Sequence, residues 1–195
     1  MTPLLIAAVV IASGPSREAA KKALTPASTG VAAELSEAEV AEQAAAFLGA
    51  IDTPISLEQW RSLGPRAQAT LAAVADDGEA LPTRRARAID GLTIVGGTGS
   101  RTRFAHLAES EAEPFVVRLA AVRGLGAIVP PGELPAVLLR LLSSARDSRV
   151  RAATAEVLST NAQGTCPVID AQLKREGQDG RAQFHRAATA CGLGR

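Results

Sequence analysis

Phe115-Val-Val-Arg-Leu-Ala-Ala-Val-Arg-Gly-Leu125 is a stretch the chain repeats, and the repetition decides the fold. With Val117 as position one, the same nine-residue core recurs as Arg84-Arg-Ala-Arg-Ala-Ile-Asp-Gly-Leu92, Val150-Arg-Ala-Ala-Thr-Ala-Glu-Val-Leu158 and His185-Arg-Ala-Ala-Thr-Ala-Cys-Gly-Leu193. Position two is Arg in every copy (Arg85, Arg118, Arg151, Arg186), and position nine is Leu (Leu92, Leu125, Leu158, Leu193). The spacing of 33 to 35 residues is fixed enough to mark a repeat architecture.

Within a copy, positions one, five, six and nine are mostly apolar and are interrupted by charge, which follows a 3.6-residue period. The two-residue alternation of a strand is absent. Position eight is Gly91, Gly124, Val157 and Gly192, and position four is Ala in all but the first copy, so these helices can lie close to their neighbours. Position seven varies among Asp90, Arg123, Glu156 and Cys191 and is expected to point away from the core. Each unit therefore reads as one such helix preceded by a partner helix.

The "V-R-x-A-A-x-x-x-L" pattern at Val117 to Leu125 and Val150 to Leu158 resembles the second helix of the HEAT repeat family, over about residues 56 to 193. The first copy departs from the pattern, with Arg84 and Arg87 at positions that family fills with apolar or small residues. The resemblance implies an all-α fold, a short α-solenoid of about four antiparallel helix pairs. It also implies a structural role for Arg85, Arg118, Arg151 and Arg186, each bonded to an acidic or turn residue of a neighbouring unit. Asp147 is the expected acidic partner. The second helices would line one face, and Arg84, Arg87, Asp90 and Arg123 are the residues expected to meet a partner there.

Composition agrees with packed helices. The 195 residues are 47% hydrophobic but only 3% aromatic, with no Tyr, too little for the half-buried surface of a sandwich or barrel. The net charge of +1 exerts no global pull on nucleic acid. Residues 1–52 carry net −3 and residues 53–195 net +4, an asymmetry compatible with many partners; the mostly positive variable positions of the first two units, Arg84, Arg87 and Arg123 beside Asp90, favour an acidic protein or peptide segment.

Three regions follow. Residues 1–14, with an apolar run from Leu4 to Ala12 broken by Ser13-Gly-Pro15, read as a short secretory signal lacking the usual leading Lys or Arg. Export to a periplasmic or extracellular space is the expected localisation, with the cytoplasm as the alternative. The run is too short to span a bilayer, which takes about 20 residues, and no later stretch qualifies. Residues 15–52 read as a linker and capping helix, with Ser16 to Leu24 a short helix, Thr25 to Gly30 a linker, and Ser36 to Gly49 an acidic helix opened by a Ser36/Glu39 capping box. Residues 53–195 form the repeat domain. A second box at Ser56/Gln59 starts a helix in which Trp60 anchors the cap. Pro65 opens a helix from Arg66 to Ala75. Pro82 and Pro114 open the first two repeated helices, Leu134 to Ser144 is a partner helix, and Asp147 or Ser148 caps the third.

No residue pattern supplies catalysis. His106 and His185 lie in different units without paired metal-ligand spacing, and no Ser occupies a Gly-x-Ser-x-Gly elbow. Glu109, Glu111 and Glu113 fit solvated helix ends. Gly96-Gly-Thr-Gly-Ser100 has neither a Walker sequence nor a dinucleotide fingerprint and reads as a helix stop. No cofactor or metal is expected. The leading function is a non-enzymatic scaffold for a protein or peptide. The alternative is an accessory or regulatory factor for an enzyme, in maturation or beside a lyase. A third reading, a basic surface for nucleic acid or an anionic polymer, would use Arg84, Arg85, Arg87, Arg101 and Arg103.

Cys166 and Cys191 are the only cysteines. They sit at the start of one arm and the end of the next, with a turn expected at residues 177–180 between arms of nearly equal length. Antiparallel packing brings both thiols to one end of the hairpin, so a disulfide is expected there.

Overall fold

The computed structural model describes residues 35–50 and 53–193. Among these residues every regular element is helical. The signal reading of residues 1–14, the Ser16 to Leu24 helix and the following linker lie outside the described residues.

Helix α1 (Glu37–Gly49) starts at Ser36, whose backbone N–H donates to Glu39 Oε2 at 2.7 Å while Glu39 N–H donates to Ser36 Oγ at 3.3 Å. The same reciprocal bonds join Ser56 and Gln59 at the start of α2 (Leu57–Leu63). Two donors that a helix start leaves without partners are satisfied at each site. Pro65 begins a 3-10 turn (Pro65–Ala67), and α3 (Gln68–Asp76) begins only after it. The helix expected from Arg66 is therefore a composite, its tight first turn set by the fixed φ of Pro65 after a left-handed Gly64 at φ 62°.

Helices α4 (Pro82–Val95), α6 (Phe115–Ile128) and α8 (Ser148–Asn161) are the first three repeated helices, each 14 residues long. Their partners are α3, α5 (Ser100–Glu109) and α7 (Leu134–Ser144), and each packs against the helix that follows it. The repeated helices also stack on one another, α4 on α6 and α6 on α8. The last unit pairs α9 (Cys166–Arg175) with an arm in two pieces, α10 (Gln178–Gln183) and α11 (His185–Ala190), both packed on α8. The turn expected at 177–180 is instead confined to Glu176 and Gly177, and Gly180 is a buried residue inside α10. Phe184, fully buried with ψ near 0°, interrupts the arm.

The Leu ladder is core in three units: Leu92, Leu125 and Leu158 are at most 1% exposed. Leu193 departs because Gly192 takes a left-handed φ of 68° and ends α11. Gly192 N–H then donates to Thr189 O and Leu193 N–H to Ala188 O at 2.8 Å, the paired bonds of a Schellman stop. Leu193 therefore lies beyond its helix and is half-buried.

Position eight shows why the units need a small residue there. A Cβ on Gly91 would come within 2.8 Å of the Trp60 ring, and one on Gly124 within 2.8 Å of the Phe104 ring. Each aromatic ring lies directly against a glycine backbone. Trp60 is 3% exposed and meets Phe47 edge to face at 5.4 Å, so it anchors α1 and α2 to α4 as expected. Helix α1 belongs to the compact unit Leu35–Arg195. Among the described residues no helix is long and apolar enough to cross a membrane.

Candidate functional site

The position-two arginines set the frame. Arg85 is 3% exposed and donates Nε to Ala75 O at 3.0 Å, and Arg118 is 2% exposed and donates Nε to Ala108 O at 3.0 Å. Both acceptors lie in the last turn of the preceding partner helix, where carbonyls have no helical partner and the helix dipole favours a cation. Arg151 repeats the arrangement with Nη1 on Ala145 O at 2.6 Å and Arg146 O at 2.8 Å. Each guanidinium then takes a carboxylate from a turn: Arg85 to Glu113 at 2.9 Å, Arg118 to both oxygens of Glu111 at 2.7 and 2.8 Å, and Arg151 to both oxygens of Glu176 at 2.6 and 2.5 Å. Arg118 hydrogen bonds hold the Glu111 carboxyl below its ordinary range, and Arg146 N–H adds to this. Those from Arg151, with one from Gln172, outweigh burial and hold Glu176 below its own.

Arg186 differs from the other three. Its side chain is 80% exposed and pairs with Glu156 at 3.1 Å. Among the described residues it bonds no carbonyl at the end of α9. Asp147 also departs from expectation. It caps α8 by accepting from Arg149 N–H at 2.9 Å and pairs with Arg149 Nη2 at 2.6 Å, two residues away, while the carboxylate on Arg151 is Glu176. The local bond wins because an N-cap carboxylate already faces the first turn of its own helix.

Of the residues expected to meet a partner, Arg84, Asp90 and Arg123 are exposed. Arg87 donates Nη1 to Phe47 O at 3.2 Å, so part of its bonding capacity ties the end of α1 to α4. The acidic helix thus reaches α4 through its C-terminal end. Asp90 is open to solvent yet crowded by protein. That crowding strips water from its carboxyl and raises its pKa, against the pull of Arg123 and Arg87. The proposed basic patch is largely paired: Arg85 holds Glu113, Arg101 holds Glu133 and Arg103 holds Asp76.

Arg123 also belongs to a groove of about 490 Å³ between α6, α8 and the α10–α11 arm. Phe115, Leu119 and Arg123 recur every fourth residue on one side of α6. Ala152, Ala153 and Val157 supply the opposing apolar wall from α8. Arg149 and Arg186 stand over this floor with Arg123, and Glu156 is the acidic lining residue. The Arg149 guanidinium lies 3.7 Å from the Phe115 ring centroid, a cation–π contact that holds both. The sequence reading missed Phe115, Arg149 and Arg186 as groove residues. The available signal was Phe115 itself, an aromatic preceding the repeated core in a chain nearly without aromatics.

Cys166 and Cys191 form a disulfide across a Cα–Cα distance of 5.4 Å, joining the start of α9 to the end of α11. Among the described residues no group of three or more His, Cys, Asp or Glu is placed to hold a metal ion. Compared with known family models, curated proteins and solved structures, the chain matches none.

Proposed function

We propose that the chain is a short α-solenoid of HEAT-like repeats acting as a non-enzymatic scaffold, and that the groove between α6, α8 and α10–α11 receives an acidic peptide segment of a partner protein. The observation that carries this reading is the combination of three arginines, Arg123, Arg149 and Arg186, over an apolar floor with, among the described residues, a single acidic one, Glu156. Asp147 already neutralises Arg149 and Glu156 pairs with Arg186, whereas Arg123 has no hydrogen-bonded or ion-paired carboxylate among the described residues and feels Asp90 only through its charge. A peptide placing Asp or Glu beside Leu or Phe matches both features, its carboxylate on the guanidinium and its apolar side chain on Leu119 and Val157. Stacking of the repeated helices on one another supports the solenoid, since in such folds each unit contacts its neighbours and the row offers an extended face. The disulfide suits an oxidising compartment and supports export.

Selection of random 12-residue peptides by display on the purified protein tests the reading. Acidic residues flanking Leu or Phe are expected to be enriched, and Arg123→Glu with Arg186→Glu is expected to abolish binding while leaving the helical circular dichroism unchanged. Enriched peptides without acidic residues, or binding that survives the double reversal, would overturn it.

A further inference from the structure

A separate hollow of about 550 Å³ opens between α9, α10 and α11. Its apolar surface comes from Leu173, Ala182, Ala188 and Leu193, and its charged or titratable lining from Lys174, Arg181 and His185. Among the described residues no acidic side chain lines it. Lys174 pairs with Asp170 on its own helix at 2.7 Å. Among the described residues neither Arg181 nor His185 has a side-chain hydrogen-bond or ion-pair partner. The volume falls within the range of roughly 300–1,000 Å³ typical of small-molecule sites, and a mostly apolar lining with a few convergent polar groups is their usual make-up.

The wall is held in place. Leu193 is fixed by its Schellman bond to Ala188 O at 2.8 Å, and both residues line the hollow. The disulfide at Cys191, two residues earlier, ties this segment to α9, which carries Leu173 and Lys174. A cavity fixed in this way loses little freedom on binding.

We propose that this hollow binds a small amphiphile with a single anionic head, its apolar chain against Leu173, Ala188 and Leu193 and its carboxylate on Arg181 and His185. A purely apolar ligand would leave Arg181 unmatched and partly dehydrated, whereas a head without a chain would leave the apolar floor in water. The assignment is independent of the peptide groove, which α10–α11 lines through Gln183 and Arg186.

Octanoate is a suitable probe, with octanol as the same chain without charge and acetate as the head alone. Amide chemical shifts of the full chain are recorded on titration with each. Octanoate is expected to saturate with shifts confined to α9–α11. Octanol and acetate are each expected to bind at least about tenfold more weakly, the scale of one lost charge-assisted bond. Arg181→Gln is expected to lower octanoate affinity about tenfold. Ala182→Trp, at an exposed position, is expected to block the hollow without disturbing the fold. Equal binding of octanol and octanoate, octanoate shifts outside these helices, or unchanged binding in either variant would overturn the proposal.

Discussion

The Arg118 guanidinium reaches back ten residues to the carbonyl oxygen of Ala108 at 3.0 Å, and Arg85 makes the corresponding bond to Ala75. A repeated side chain thus caps the end of a helix that precedes it. What remains after its removal differs between units. Arg118→Ala leaves Ala108 O without its bond, but Glu111 is 37% exposed and can return to water. That variant is expected to lose about 1.5–3 kcal/mol, the range for a hydrogen bond to a charged group. Arg151→Ala strands Glu176, which is 3% exposed, and is expected to lose about 3–5 kcal/mol. Arg186→Ala, at an 80% exposed side chain, is expected to change stability little. Urea unfolding of the three variants checks the order; a similar loss for all three would show that the arginines are equivalent.

Acid stability follows from Glu176. Its folded-state pKa lies below the ordinary glutamate value of 4.5, so the native state binds fewer protons than the unfolded chain in that window. Its contribution is therefore fully present above about pH 4.5 and is lost as pH falls through the folded value. Glu176→Gln is expected to flatten the acid limb of a stability–pH curve between about pH 5 and 3, while lowering the plateau at neutral pH. An unchanged acid limb would show that this pair does not govern it.

Asp90 carries the opposite sign. Crowding raises its folded pKa above 3.8, so the charged form is disfavoured by folding and the penalty is present above that pH. Asp90→Asn is expected to raise the melting temperature at pH 7, with the gain shrinking as pH approaches 3. A loss at pH 7 would mean that attraction to Arg123 and Arg87 outweighs dehydration.

Two glycines separate helix propensity from space. Gly124→Ala gains propensity but drives a methyl into the fully buried Phe104 ring, and overpacking is expected to cost about 1–3 kcal/mol. Gly49→Ala, at the end of α1 with nothing within 4 Å of its Cβ position, is expected to gain about 0.4–1 kcal/mol. Thermal unfolding measures both, and a stabilised Gly124→Ala would contradict the ring contact.

Reduction of Cys166–Cys191 is expected to lower stability by about 3 kcal/mol, from closing a loop with a sequence separation of 25. Protein from its native compartment should show no thiol open to alkylation before reduction; two such thiols would mean the bond is not formed there.

Legibility in the sequence tracked the range of the interaction. The Ser36/Glu39 and Ser56/Gln59 boxes close over three residues and were readable, as were the ends of α7 between Pro131 and Asp147. The repeat period exposed the buried Leu row and the anchoring role of Arg85, Arg118 and Arg151, because like positions recur in like surroundings. Arg87 escaped because its acceptor, Phe47 O, is 40 residues away and depends on how α1 docks. Asp147 was misassigned because a partner two residues off competes with one that the repeat pattern suggests. The break at Phe184 left no sign in the pattern, since Phe and the residues around it suit a helix as well as a kink. The groove required the approach of α6, α8 and α11, which periodicity alone does not fix.

The buried arginine ties reach no farther than the inter-helix turn of the same unit, as Arg118 to Glu111, or of the next, as Arg85 to Glu113 and Arg151 to Glu176, and the repeated helices touch their immediate neighbours along the row. Such a chain responds to tension as a series of links. Drawn apart from its ends, it is expected to lengthen in discrete steps, one unit of about 33 residues at a time, each releasing roughly 110 Å of chain. The step from the last unit should be conspicuously short, because the cystine holds the stretch between residues 166 and 191 as a closed loop that no pulling force pays out.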